Sequence, residues 1–468
     1  MADAPAPAAA PVEIGTAVEL ADGVRVYDGR YLAGGAPWRL LRVSSAAASV
    51  VARWARGDVV EAGEAGLART LIDQGLLDAH HARVNVTDQV DVVIATHDEE
   101  RLDELLARLV GLSVTVVDDA SQDPARVDAL VGAAGARLVR LEQNAGPAAA
   151  RNRGLAATTR PLVWFLDADV DLDDALGVLE RLARHFADPR VGAVAPRVVG
   201  GPGPSRRERF ERLASPLDLG SRSGLVRPGA LVAYVPTACL LVRREALDEG
   251  FDESLRVGED VDLVWRLDEA GWLVRYDARV SVHHRARETW RDWLAQRVAY
   301  GASASPLAVR HGQRLAPLRA DVAALATWGL LLGGRPVASL AAATRVRDDV
   351  AARLDGESRV ATLLTARALA SGLAASARAL TRSYAPVLVI AALARPTRRR
   401  ALGLLALGYW WRWRGQRPRP GDVLVGAADD AAYALGLWRG AWRERSLTAL
   451  APDVRGLDRL VARRIRRP

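Results

Sequence analysis

At 468 residues the chain exceeds one ordinary domain, so two or three compact units are expected. Half of its residues are hydrophobic and its mean hydropathy is +0.01, which excludes a largely disordered chain. The formal charge of +8 is carried entirely by arginine and fits a phosphate-bearing ligand or an anionic lipid surface, so no nucleic-acid partner is expected. Cys239 is the only cysteine, which excludes an intrachain disulfide and a cysteine-based metal site and suits a reducing compartment.

Met1–Pro11 is rich in Ala and Pro and lacks the basic region and long apolar core of a secretory signal. Residues 1–14 are therefore read as a disordered leader of a cytoplasmic protein, working in the cytosol or on the inner face of the plasma membrane. A small α+β unit is predicted over 15–82. Val18–Leu20 and Val24–Tyr27 flank Asp22-Gly23, a hairpin signal, and Arg30–Leu32 supplies a third strand. Helical patterns follow at Trp38–Leu41, Ser45–Trp54 and Glu61–Gln74, with Gly75 as a C-cap. Short strands followed by three helices resemble the PqqD-like, winged-helix type of peptide-recognition domain. An exposed strand edge there could take a peptide by strand addition. A module that only braces the next domain explains the same pattern.

After a polar linker near His80–Asp88 the periodicity changes. Strands at Val90–Thr96, Val114–Val117, Arg137–Leu141, Leu162–Leu166 and Val191–Ala195 alternate with helices at Asp98–Val110, Pro124–Ala134, from Pro147 and from Asp173. Strict succession of strand and helix predicts a parallel, doubly wound α/β sheet, with ligands beyond the carboxyl ends of its strands. Pro161–Asp169 is the focal stretch: five apolar residues run into Asp167-Ala168-Asp169. Two carboxylates one residue apart suit a hard cation carrying phosphate oxygens, Mg²⁺ or Mn²⁺. A plain acidic loop capping the helix from Asp173 would read alike.

Other strand ends carry Ala95-Thr96-His97-Asp98, Asp118-Asp119 and Asn144-Ala145-Gly146-Pro147 leading to Arg151-Asn152-Arg153-Gly154. Downstream, Tyr234–Val242 reads as a strand, and Gly258-Glu259-Asp260-Val261-Asp262 precedes Trp265-Arg266. Beyond a strand at Trp272–Tyr276, His283-His284 is read as a loop pair. No G-x-x-x-x-G-K-[ST] is present.

In order and spacing, these motifs over Asp91–Arg287 resemble those of family 2 glycosyltransferases with the GT-A fold, a doubly wound mixed sheet expected here over 88–312. The resemblance implies a UDP-sugar donor contacted by Ala95, Thr96, His97, Asp98, Asp119, Arg151, Asp167 and Ala168. Asp119 accepts from the uracil N3–H and Arg151 donates to its oxygen edge, unless Arg151 only pairs with Asp119. The family usually has an aromatic and Asn where His97 and Asp98 stand, which leaves those two contacts open. Asp169 is implied as a ligand of Mn²⁺ or Mg²⁺, with His284 joining it, or else His283; a capping cluster is the alternative for Glu259, Asp260 and Asp262. Asp260 is implied as the general base, since an acceptor hydroxyl needs a carboxylate within reach to remove its proton. Thr237, Ala238, Glu259, Trp265 and Arg266 border the sugar and the acceptor. The leading small unit, Ser215–Gly220 and Trp293–His311 add a resemblance to the family's mycofactocin-biosynthesis group. That group's acceptor is a peptide-derived small molecule, glucosylated into a short β-linked chain. A lipid-linked or cell-wall glycan with a rhamnose donor, or an inactive peptide-binding scaffold, are the competing readings.

The last third, 313–468, is read as helical. Val322–Gly334 and Val337–Ala343 are split by Arg335-Pro336, and Val387–Ala394 and Ala401–Trp411 by Arg395–Arg400; none reaches the roughly 18 apolar residues of a spanning helix. The aromatics and arginines of Trp290–Gly301 suit an interfacial helix, or core packing. Tyr409–Arg414 and the tail Arg463–Arg467 suit an anionic leaflet, so peripheral membrane contact is expected, with a helical bundle away from lipid as the alternative.

Overall fold

The structure is a computed structural model that describes residues 5–8, 10–82 and 85–455. The chain divides into two compact units, Met1–Arg287 and Glu288–Pro468.

The first unit begins with β1 (Ala17–Leu20), β2 (Arg25–Tyr27), β3 (Tyr31–Gly34), β4 (Arg39–Arg42), α1 (Ser45–Trp54), α2 (Ala65–Asp73) and β5 (Leu77–His80). Ser44 caps α1 by accepting from the Ala47 N–H at 3.2 Å. The Asp22-Gly23 turn forms, but its flanking strands do not pair with each other. β1 pairs antiparallel with the distant β5, Leu20 opposite Leu77, because Val18 and Leu77 are buried in the same core while β2 lies near the surface. Trp38–Leu41, expected to be helical, falls largely in β4, which pairs with β3. Four residues cannot separate a 3.6 period from an extended run, and the region has two helices rather than three.

This region is built into its neighbour. Leu32, Trp54 and Leu71 share one hydrophobic core with Val90, Val92 and Trp164. Arg69 pairs with Asp188 at 2.7 Å, Arg190 with Asp73 at 2.5 Å, and the buried Arg275 with the buried Asp78.

The chain continues through β6 (Val90–Thr96), α3 (Leu102–Arg108), β7 (Ser113–Asp118), α4 (Pro124–Ala133), β8 (Arg137–Arg140), α5 (Pro147–Ala156), β9 (Leu162–Asp167) and β10 (Val170–Asp171). Then come α6 (Ala175–Ala183), β11 (Val191–Gly200), α7 (Arg206–Ala214), β12 (Gly224–Val226), β13 (Cys239–Arg243), α8 (Glu259–Glu269) and β14 (Leu273–His284). Among the described residues the sheet has nine strands in the order β10-β14-β11-β13-β9-β6-β7-β8, with β12 on β14. β6 is parallel to β7 and β9, and β7 to β8, whereas β13 runs antiparallel to both β9 and β11. The expected alternation therefore holds through β9, and the inserted antiparallel strand makes the whole sheet mixed.

Two strand expectations are corrected. Of Tyr234–Val242, only Cys239 onward is strand, since Tyr234–Ala238 lies outside the β13 pairing. Conversely, His283-His284 belongs to β14 and not to a loop. β11 holds that strand end on one side, with Gly200 opposite His284, and β10 holds it on the other, with Val170 opposite His284.

The second unit contains α9 (Trp290–His311), β15 (Arg319–Asp321), α10 (Val322–Leu332), α11 (Pro336–Ala352), α12 (Ser358–Thr381), α13 (Ala385–Leu393), α14 (Arg395–Trp413), α15 (Pro420–Arg443) and β16 (Asp453–Arg455). α9, expected to close the sheet domain, instead belongs here. Its Arg297 bonds Asp429 of α15 at 2.9 Å in a buried network with Arg382, Arg412 and Asp430. The tail Arg463–Arg467 lies outside the described residues.

Gly154 of α5 faces β6 and β7: a Cβ there would lie 2.2 Å from Val93 Cγ1 and 3.1 Å from Val117 Cγ2. Both valines are held in strands, so Gly154→Ala is expected to cost about 1–3 kcal/mol by overpacking. Thermal melting checks this; an unchanged midpoint would mean that α5 does not lie this close to the sheet.

Candidate active site

The site is built at the rim where β6, β7 and β9 end. β9 is buried along its length until Asp167, where the chain turns through Ala168 and Asp169 into β10. Because β10 pairs with the end of β14, His284 arrives beside Asp169, its Nε2 3.1 Å from Oδ1. Asp167, Asp169 and His284 each offer a ligand atom, and these atoms all lie within 4.8 Å of one another. Two carboxylates and an imidazole form a donor set suited to Mn²⁺ or Mg²⁺. Burial pushes the Asp169 carboxyl upward, but the His284 ring and then Arg287 outweigh it and hold it down at about 2. The His284 ring is lowered by burial and raised more by Asp169, for a net rise. Arg287, 3.9 Å from Asp169 Oδ2, is a cation at this site that motif reading did not single out. Its only sequence signal is basic character just after the histidine pair.

α5 links the cation side to the acceptor side. Arg151 is buried; its two terminal nitrogens bond Asp167 Oδ1 and Glu259 Oε1, each at 2.7 Å. Its guanidinium also lies 5.5 Å from the centroid of the Phe251 ring. The next residue, Asn152, accepts from the Phe251 N–H and donates to the Phe251 carbonyl, both at 2.8 Å, and so pins the loop that leads into α8. Arg151 thus pairs through its terminal nitrogens with Asp167 and Glu259 rather than with Asp119.

Asp119 is likewise engaged. Its carboxylate accepts from the Ala145 N–H at 2.7 Å and the Gly146 N–H at 2.9 Å, which fixes the loop before α5. His97 sets Nδ1 2.9 Å from the Asp119 carbonyl oxygen, and the Asp98 N–H donates to Ser121 Oγ at 3.0 Å. The strand-end segments of β6 and β7 are therefore tied together, with His97 and Asp98 exposed. Thr96 and Ala168 are buried beside them and Ala95 is partly exposed.

Gly258, at φ +91, turns the chain into α8, a left-handed conformation that favours glycine. Glu259, Asp260 and Asp262 occupy the first turn, where the helix dipole favours acids. They have distinct partners: Glu259 takes Arg151, the fully buried Asp262 takes Arg266 Nε at 2.9 Å, and Asp260 Oδ1 accepts the Val261 N–H at 2.8 Å. Burial raises the Asp260 carboxyl to about 7; Glu259 adds to the rise, and the Val261 N–H and Arg151 oppose it. A carboxylate poised near neutrality suits general-base work. Thr237 and Ala238 are buried between β13 and this rim. Trp265 is fully buried and its indole N–H donates to the Ala233 carbonyl at 2.7 Å. Arg266 is occupied by Asp262 and the Gly250 carbonyl.

A family model, Glycosyl transferase family 2, matches residues 91–251. The chain is 39% identical over 464 residues to a pre-mycofactocin glycosyltransferase of Mycobacterium tuberculosis, covering 94% of this chain and 98% of the relative. It is 31% identical over 273 residues to the N-acetylglucosaminyl-diphospho-decaprenol L-rhamnosyltransferase of the same organism, covering 50% and 89%. Among solved structures, a mannosyltransferase of Pyrobaculum calidifontis in complex with GDP-Man and Mn²⁺ aligns at a TM-score of 0.43 and 19% identity, covering 76% and 87%.

Asp260 titrates near 7 in the fold against the ordinary carboxylate range, so its ionisation opposes folding. That cost is absent below about pH 4, grows as pH rises, and is complete above about 7. Asp260→Asn is therefore expected to raise the melting temperature more at pH 8 than at pH 4.5, while lowering kcat about 10²–10⁴-fold. The parent's kcat should fall as pH drops through about 7. Melting and kinetics across pH check both; full transfer by the variant would remove Asp260 from the role of base.

Proposed function

The chain belongs to glycosyltransferase family 2, and we propose that it moves glucose from UDP-glucose onto a hydroxyl of pre-mycofactocin, a peptide-derived redox cofactor precursor. The observation that carries this is one rim that gathers Asp167, Asp169 and His284 on one side and Asp260 on the other, with Arg151 bonded to both sides. The relative aligned over 98% of its length supports the acceptor class.

In this reading the acceptor hydroxyl approaches Asp260, whose carboxylate takes its proton. The oxygen bonds to the anomeric carbon as the bond from that carbon to the diphosphate breaks on the opposite face, which inverts the anomeric centre. Asp167, Asp169 and His284 would hold Mn²⁺ or Mg²⁺; when bound, the cation neutralises charge on the leaving diphosphate. Arg287 adds positive charge beside them. The segments of Asp98 and Asp119 border the uridine, and the glucosyl group lies toward Thr237 and Ala238. Repetition of the step builds a short β-linked chain. Cys239, the sole cysteine, is buried, and its thiol is pushed up to about 12 by burial, so it plays no part in the chemistry.

The rhamnosyltransferase relative favours a second reading, rhamnosyl transfer to a lipid-linked glycan. Purified protein given UDP- and TDP-sugars, Mn²⁺ and either acceptor, followed by mass spectrometry, separates the two. The expected result is a hexose added to the cofactor precursor from UDP-glucose alone. Activity should vanish with EDTA and return with Mn²⁺ or Mg²⁺. Asp169→Ala should weaken both donor binding and transfer, and His284→Ala should weaken metal affinity roughly 10–100-fold by titration. Rhamnose found on a polyprenyl acceptor would replace the first reading with the second.

A further inference from the structure

The second unit carries a feature that the transfer reaction does not use. α10, α12 and α14 enclose a cavity of about 260 Å³ lined by Trp328, Leu332, Leu373, Leu380, Leu404 and Leu407. The indole N–H of Trp328 is engaged by the Leu369 carbonyl at 2.9 Å, so this side chain offers the cavity only hydrocarbon. An almost wholly apolar lining of this kind suits an apolar guest. Leu332 lines it and is nonetheless 59% exposed, so the apolar lining runs out to the surface.

The surroundings specify the guest. Ile390 and Leu393 of α13 are 68% and 73% exposed, and Trp410 of α14 is 63% exposed. Between them Arg395, Arg398, Arg399 and Arg400 stand in a stretch, 385–411, that contains no Asp or Glu. Arg398 bonds the Ala392 and Leu393 carbonyls, while Arg399 and Arg400 are exposed and pair with no carboxylate among the described residues. Arg400, Leu404 and Leu407 follow at i, i+4 and i+7 on α14, one helix face on which a cation precedes the cavity lining by one turn. A phosphate beside an alkyl chain has that layout, and exposed leucine and tryptophan next to arginine is the composition of an interfacial helix.

We infer that the second unit docks on an anionic lipid bilayer, with one acyl chain of a phospholipid seated in the α10–α12–α14 cavity and its phosphate met by Arg399 and Arg400. The docking is peripheral. Among the described residues only α12 is long and apolar enough to cross a membrane, and the exposed docking face lies on α13 and α14 instead.

Gly329 provides the test of the cavity. It lines the space, and a Cβ added to it meets nothing within 4 Å, so a side chain can start into the cavity from here, and Gly329→Leu also replaces a poor helix former. The full-length protein is floated with phosphatidylglycerol–phosphatidylcholine vesicles and with phosphatidylcholine alone. Binding is expected only to the anionic vesicles and is weakened by salt. Arg399→Gln/Arg400→Gln should lower that affinity about thirty-fold, at about 1 kcal/mol per arginine. Gly329→Leu should lower it on the order of ten-fold, the loss of about two buried methylenes, with an unchanged or higher melting temperature. Equal binding to both vesicle types, or binding to neither, overturns the proposal. Binding to neither, with dimers formed in solution, would give the apolar face to a second copy of the chain. A Gly329→Leu protein that binds as tightly as the parent overturns the seating of the acyl chain.

Discussion

The site depends on one buried cation. Arg151 lies in the interior with a carboxylate on each side, Asp167 from the end of β9 and Glu259 from the start of α8. Arg151 and Glu259 are withdrawn from water and Asp167 partly so, and loss of either carboxylate would leave the buried cation undercompensated. The end of a central strand and the beginning of a helix more than ninety residues later are therefore held in one geometry. Asn152, with its two bonds to the Phe251 backbone, extends the hold to the loop between them. The proton-accepting Asp260 is next to Glu259, so its position follows from the same contact.

The second determinant is the reversal of strand direction. A purely parallel sheet would end its strands at one rim and send every connection back through a helix. Here β13 enters antiparallel between β9 and β11, and β14 returns alongside β11 and continues until β10 pairs with it. This extension brings an imidazole more than a hundred residues away to the two aspartates. Without β10, only two residues long, His284 would lack the strand partner that sets it beside Asp169.

Much of this was legible from residue order. The strand–helix alternation from Val90 to Ala195, the strand-end acids and Asp260 at the head of α8 all follow from periodicity and local chemistry. What escaped were properties of pairing between distant segments. The sequence near Asp22-Gly23 holds a sound hairpin signal, yet β1 chose β5 because that partner buries Val18. The histidine pair looked like loop because its strand character depends on β10 and β11. A tryptophan in a motif cannot show whether its indole is already bonded to a backbone carbonyl, as that of Trp265 is. Arg151 was identified as a donor, but its partners are set by tertiary contacts that no local pattern encodes.

The fusion of the leading region to the sheet has an architectural consequence. Arg275, Arg190 and Leu225 belong to the sheet domain, yet their counterparts Asp78, Asp73 and Gly75 lie before residue 80. Removing the leading region would take the carboxylate partners from Arg275 and Arg190 and uncover core shared with Val90, Val92 and Trp164, so the two parts fold as one piece. The leading region is thereby kept in a constant orientation toward the sheet domain. It is a bracket bolted to the sheet, not an arm on a tether.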